Sequence, residues 1–349
     1  MTARERFQAA MNFQPFDRLP VIEWAGWWGD TTQRWRQEGM PVDPADFFGI
    51  HDHFGLDRHM QDWIRPFKPE CPAPDGARGI GIVRDREHYE KVIRPLLFPH
   101  PAIDKRLWEE RAALQAAGKA VLWFTVDGFY WFPRRILGTE PHLFAFYDDP
   151  ALITRINEDL TEWIQNVFEE IFSICTPDFM TFAEDMSYNN GSLLSRELFD
   201  AFLAPYYRKL CPVLHKKGTI IIVDSDGDIT EPAAWFESVG VDGILPLERQ
   251  AGVDIERLRA DHPKMRFIGQ YDKMVMNKGE AAMRREFERL VPTAARGGFL
   301  ISCDHQTPPG VSYADYKLYV KLFREYADEA GRLSRQATGI RQSKAATPV

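Results

Sequence analysis

Nothing in this sequence approaches the ~20 consecutive apolar residues that cross a bilayer. The first residues, MTARERFQAAMNF, read as a charged amphipathic helix rather than a signal peptide with an apolar centre, so the expectation is a cytoplasmic protein with no membrane partner. Basic residues are never concentrated: 43 Lys and Arg stand against 51 Asp and Glu, a net charge of -8, and this argues against nucleic acid as a principal partner. Only four cysteines occur, Cys71, Cys175, Cys211 and Cys303, with no CxxC spacing. That excludes a disulfide framework and an all-cysteine zinc site, and the first three read as buried free thiols. Internal repeats and an interdomain linker are also missing, which points to a single domain.

What is present is a repeated order of short apolar runs and long amphipathic stretches. The runs are 20–24 (PVIEW), 120–127, 179–185, 219–224, 241–248, 265–272 and 298–304. Between them, 148–174 carries apolar residues at helical spacing; 195–218 opens on Ser195, closes on Gly218 and should break near Pro205. Strand and helix in alternation predict an α/β fold, a (β/α)8 TIM barrel, with a doubly wound open sheet as the alternative. Seven strands are one short of a barrel, and the missing one is expected within 47–65. The Pro- and Gly-rich stretch at about 66–95 reads as an insertion after the first strand. The barrel domain is expected over 1–333, and 334–349 as a disordered tail.

Almost every run ends in a carboxylate: Glu23, Asp127, Glu184 with Asp185, Asp224 with Asp226, Glu248, Asp272 and Asp304. In a parallel barrel these ends converge on one face, where active sites of this architecture are built. Any one acid could instead cap a helix or a turn, but capping is a poor explanation for the whole set. Such a cluster requires a metal, a cationic ligand, shared protons, or basic partners such as Arg134, Arg135, Arg249 and Lys273. DSDGD at 224–228 is not a calcium loop, because its glycine is one place early and Trp235 stands where the bidentate glutamate belongs. In EDMSYNNG, Glu184 and Asp185 are candidate acid–base or cation-binding groups, and Tyr188 is placed to reach the same pocket. The aromatic sets 24–28 and 129–132 either pack in the core or line that pocket, where they would attract a methylammonium group.

The stretches RERFQAAMNFQPFDRLPV, EDMSYNNGSLLS, VDSDGD, GVDGILPLE and DHQTPPGVSYADYKLYVKLFREY resemble motifs of the uroporphyrinogen decarboxylase superfamily. The resemblance implies a (β/α)8 barrel, commonly a homodimer. Its members are tetrapyrrole decarboxylases and zinc-dependent methyltransferases that work with corrinoid proteins. The decarboxylases carry R-Q-A-G-R after the first strand, where this chain has EWAGW, so Glu23 and Trp27 replace the arginines that grip substrate carboxylates. The thiol-specific methyltransferases carry H-x-C-G, matched here by Asp224, Ser225, Asp226 and Gly227, with Cys303 near the third ligand place. The implied metal site is a harder one of Asp224, Asp226 and His305, holding zinc or another divalent ion, with Cys303 as a further candidate ligand.

The expected function is therefore methyl transfer from a small O- or N-methylated substrate to a corrinoid carried by a partner protein. In that scheme Glu23, Trp27, Asp127, Glu248 and Asp272 bind substrate. Glu184, Asp185, Tyr188, Asp304 and His305 supply the acid–base chemistry. A small-substrate lyase or decarboxylase and a non-catalytic accessory subunit are the alternatives.

Overall fold

A computed structural model describes residues 1–75 and 79–345. Seven strands form one parallel sheet in chain order: β1 (His59–Ile64), β2 (Val121–Asp127), β3 (Phe179–Ala183), β4 (Ile220–Asp224), β5 (Gly243–Leu245), β6 (Arg266–Tyr271) and β7 (Phe299–Cys303). Every connection returns the chain to the same end, so all seven carboxyl termini share one face. The runs β2 to β4 are apolar on both faces because helices cover one side and the sheet's own interior the other. The strand missing from the sequence reading is β1, inside the interval expected for it.

PVIEW does not join the ladder. Pro20 has no N–H to give, and residues 20–24 are stitched across the gap between β7 and β1 by scattered bonds instead. Asp57 N–H reaches Val21 O at 2.9 Å, the His59 ring lies 3.0 Å from Glu23 O, and Ser302 Oγ and Cys303 N–H donate to the Glu23 carboxylate at 3.1 and 3.2 Å. The sheet therefore curls far enough for one short segment to touch both its first and last strands.

The amino-terminal helix Ala3–Met11 plugs one end of the curl. Arg4 and Gln8 bind Asp178, just before β3, and Gly298 N–H, just before β7, donates to Ala10 O. Phe7 stacks on Phe179, which stacks on Trp123 with ring centroids 4.7 Å apart. With the amino ends closed, the carboxyl ends of the strands form the open end.

The helix expected over 148–174 spans Pro150–Phe172, with Asp149 capping Leu152 N–H. The next splits into Arg196–Phe202 and Ala204–Lys217, breaking at Leu203, two residues before Pro205, with Gly218 left-handed at its end as expected. Residues from 66 onward, outside the undescribed 76–78, are pinned to helix Pro150–Phe172 through Arg94–Asp159 and Glu90–Arg155 ion pairs. Of the tail 334–349 expected to be disordered, residues as far as Ala345 continue helix Tyr313–Ala345, and 346–349 lie outside the described residues. Among the described residues no helix is long and apolar enough to cross a membrane.

Candidate active site

At the open end lies a cavity of about 350 Å³, lined by Trp24 and Ala25 at the end of PVIEW, Gln61 and Trp63 from β1, Trp131 after β2, Ala183 and Asp185 at the end of β3, Asp224 and Asp226 at the end of β4, and His305 with Gln306 after β7. The strand-end acids divide here into two sets. One set faces the cavity; the other holds the walls.

Glu23, Asp127, Glu184 and Asp304 are buried and do not line the cavity. Glu23 accepts from Tyr319, Ser302 and the Cys303 N–H, and burial still lifts its carboxyl to about 7. Asp127 is held by Arg135 at 2.6 Å, Arg65 at 3.2 Å and the Trp63 indole at 3.0 Å. Glu184 accepts the N–H groups of Phe129, Tyr130 and Trp131 together with the Tyr207 hydroxyl, and burial lifts it to about 7 against those four donors. Asp304 accepts the backbone N–H of Arg249 and of Lys273 and pairs with Lys273 Nζ at 3.3 Å; burial raises it while Lys273 opposes the rise. Each is a strut whose partners lie on neighbouring elements.

Other expected residues also stand outside the cavity. Asp272 caps the turn at Met274 and accepts from Gln250; Glu248 binds Lys273 and the Gly227 N–H. Trp27 is buried against Trp35, His51 and Tyr316. Tyr188 is 48% exposed on a two-residue hairpin. That hairpin presses on Gly227, whose φ of 82° and lack of a side chain admit the Tyr188 N–H, since a Cβ there would lie 2.6 Å from it.

The cavity-facing acids are Asp185, Asp224 and Asp226. Asp185 sits at φ 41°, a left-handed conformation that costs a non-glycine residue free energy, and Arg134 holds its carbonyl and carboxylate. Burial and the charge of Asp226 raise Asp185 to about 6. Asp224 is partly buried at the cavity wall; burial, then Asp226 and Asp185, push its carboxyl well above the usual range, and among the described residues no hydrogen bond reaches that carboxyl group, while its carbonyl accepts from Glu184 N–H and Asp185 N–H. His305 pairs with Asp226 at 3.6 Å, which raises the imidazole above 6.5, and lies against the Trp28 ring. The third aspartate of DSDGD, Asp228, only closes a local turn by accepting from Thr230.

Sequence reasoning missed Gln61 and Trp63, which lie two residues apart and so share one face of β1. It placed Trp24 and Trp131 in aromatic sets and favoured the core for them over the pocket, whereas both line the cavity. Among the described residues no group of three or more His, Cys, Asp or Glu side chains is arranged to hold a metal ion. Cys303 is buried, and burial pushes its thiol well up. Asp226 and His305 form an ion pair, with Asp224 beside them on the same cavity wall.

A family model for uroporphyrinogen decarboxylase (URO-D) matches residues 138–326, more than half of the chain. The chain belongs to the uroporphyrinogen decarboxylase family. The matched span runs from the turn before helix Thr139–Asp148 into the last helix, and so contains Asp185, Asp224, Asp226 and His305 but not the Trp24 and Trp63 wall. Among solved structures, a methyltransferase from Methanosarcina mazei is 14% identical, covers 93% of this chain and 99% of its own length, and superposes with a TM-score of 0.65. A putative vitamin-B12-independent methionine synthase from Listeria monocytogenes is 13% identical over 93% of this chain and 98% of its own, with a TM-score of 0.44. No curated protein matches the sequence.

Proposed function

We propose that this chain is the demethylating component of a methyl-transfer system. It binds a small O- or N-methylated compound in the cavity and passes the methyl group to a corrinoid carried by a separate protein docked over the open face. When bound, a reduced corrinoid supplies the nucleophile that accepts the methyl group. The observation that carries the reading is the cavity lining: three indoles and three acids with one histidine, and no arginine or lysine to neutralise a polycarboxylate. A porphyrinogen would meet like charge there. The likeness in fold to a methyltransferase supports the same direction.

In this mechanism Trp24, Trp63 and Trp131 exclude water from the methyl group, and Asp185, held by Arg134, orients the substrate. As the bond from heteroatom to methyl breaks, the heteroatom takes a proton from the His305 imidazolium, whose cationic form Asp226 favours. No step runs through a metal. The reading carries with it a cytoplasmic homodimer and a (β/α)8 barrel in which residues 20–24 stand as the eighth stave.

The test is to incubate the purified chain with reduced corrinoid protein and a panel of methoxyaromatics, methylamines and betaines, following corrinoid absorbance. Methyl transfer from at least one class is expected. No transfer from any would end the proposal, and carbon dioxide release without corrinoid would replace it with a lyase.

A further inference from the structure

Three carboxyl groups line the cavity, and two of them have a cationic partner: Asp226 in His305 and Asp185 in Arg134. The third, Asp224, is partly buried at the cavity wall, and among the described residues no hydrogen bond reaches its carboxyl group. A partly buried carboxyl group without a partner holds its proton unless a ligand places a cation beside it.

The aromatic lining narrows what that ligand is. The indole N–H of Trp24 is spent on Cys303 O at 3.0 Å and that of Trp63 on Asp127 at 3.0 Å, so these two rings offer the cavity their carbon surfaces and no donor for an anion. Carbon-rich aromatic surface beside carboxylate suits a cation whose charge is spread over methyl groups, because the ring quadrupole attracts it and little hydration must be stripped. A neutral methoxyaromatic would desolvate Asp224 and Asp226 without replacing the lost water. A primary ammonium is drawn to the same rings but must shed a tightly held hydration shell to reach them.

We propose that the ligand of this cavity is a methylated ammonium cation, seated among Trp24, Trp63 and Trp131 with its charge against Asp224 and Asp226. This sharpens the methyl-transfer reading by naming the substrate class, and it rests on that reading only in treating the cavity as the substrate site. The volume, about 350 Å³, is at the small end of ligand sites, which span roughly 300–1,000 Å³, and holds a headgroup with a short tail.

The experiment compares choline and tetramethylammonium with dimethylbutanol, the uncharged carbon isostere of choline, by tryptophan fluorescence and calorimetry on the full chain without corrinoid. The cations should bind at least about tenfold more tightly than the isostere. Asp224→Asn should erase that preference, and Asp226→Asn, at a more exposed position, should reduce it with the fold intact by circular dichroism. Equal binding of isostere and cation, or binding of methoxybenzene but of neither cation, overturns the proposal. Cation binding without methyl transfer would leave it standing while the methyl-transfer reading fell, and methyl transfer from methoxybenzene alone would do the reverse.

Discussion

Tyr207 donates its hydroxyl to Glu184, and through that carboxylate the helix Ala204–Lys217 is tied to the three N–H groups that open helix Trp131–Leu137. Trp131, a wall of the cavity, hangs on this junction. Replacing Glu184 by Ala strands four buried donors and is expected to cost about 3 kcal/mol or more in urea denaturation, whereas Glu184→Gln, which keeps an acceptor, costs less. Equal losses for the two variants would show that the junction is not a hydrogen-bonded strut.

Glu23 should make stability fall with rising pH. Its carboxyl is lifted from 4.5 to about 7 by burial, so the folded state holds the proton more tightly than the unfolded chain. The stabilisation is full below 4.5 and is lost as pH rises through about 7, a change on the order of 3 kcal/mol at most. Melting curves of the parent and of Glu23→Gln should run together at low pH and part as pH rises, the parent falling, and a parent profile as flat as that of the variant would contradict the assignment.

Asp185 combines strain with position. Glycine tolerates a φ of 41°, so Asp185→Gly is expected to leave stability unchanged or raise it by about 1 kcal/mol while lowering turnover by about 100-fold, since the substrate loses its orienting charge. Full activity in a folded variant would remove Asp185 from the mechanism.

The rate should fall as pH rises through the elevated value of His305, because the protonated ring is the donor. Asp226→Asn withdraws the carboxylate that favours that proton, so the descending limb of kcat should move to lower pH. A limb that stays in place assigns the proton to another group.

Lys273 is the cation that allows Asp304 to be buried. Lys273→Met should destabilise the fold by roughly 3–5 kcal/mol, as does removal of one partner from other buried pairs. Asp304→Asn should be milder and should not alter the pH profile, since Asp304 lies outside the cavity. A shifted profile would return Asp304 to the acid–base role read from its place at the strand end.

How far the sequence could be read follows from what each signal depends on. Strands β2 to β7 were legible because apolar runs stop at an acid. β1 was not: Gln61, Asp62 and Trp63 satisfy themselves through Thr125, Trp108 and Asp127, so HMQDWI needs no apolar alternation. PVIEW reads as a strand by composition, yet its contacts are side-chain stitches. The acids were found, but strut and cavity wall look alike in a chain. What separates them is a partner far away in sequence, Tyr319 for Glu23 or Lys273 for Asp304. The cavity tryptophans Trp63 and Trp131 come together only when the sheet curls.

The seam at residues 16–24 is closed by the far end of the chain. Leu19 N–H donates to Ala327 O, Arg335 reaches the carbonyls of Phe16 and Asp17, and Tyr319 binds Glu23. Residues 16–24 are thus fixed only where helix Tyr313–Ala345 has docked. Without that helix Glu23 lacks the Tyr319 hydroxyl that donates to it, and Trp24 follows an unanchored segment. The cavity is complete only with that helix in place, and a fragment lacking it would carry the acids of the open end without a finished site.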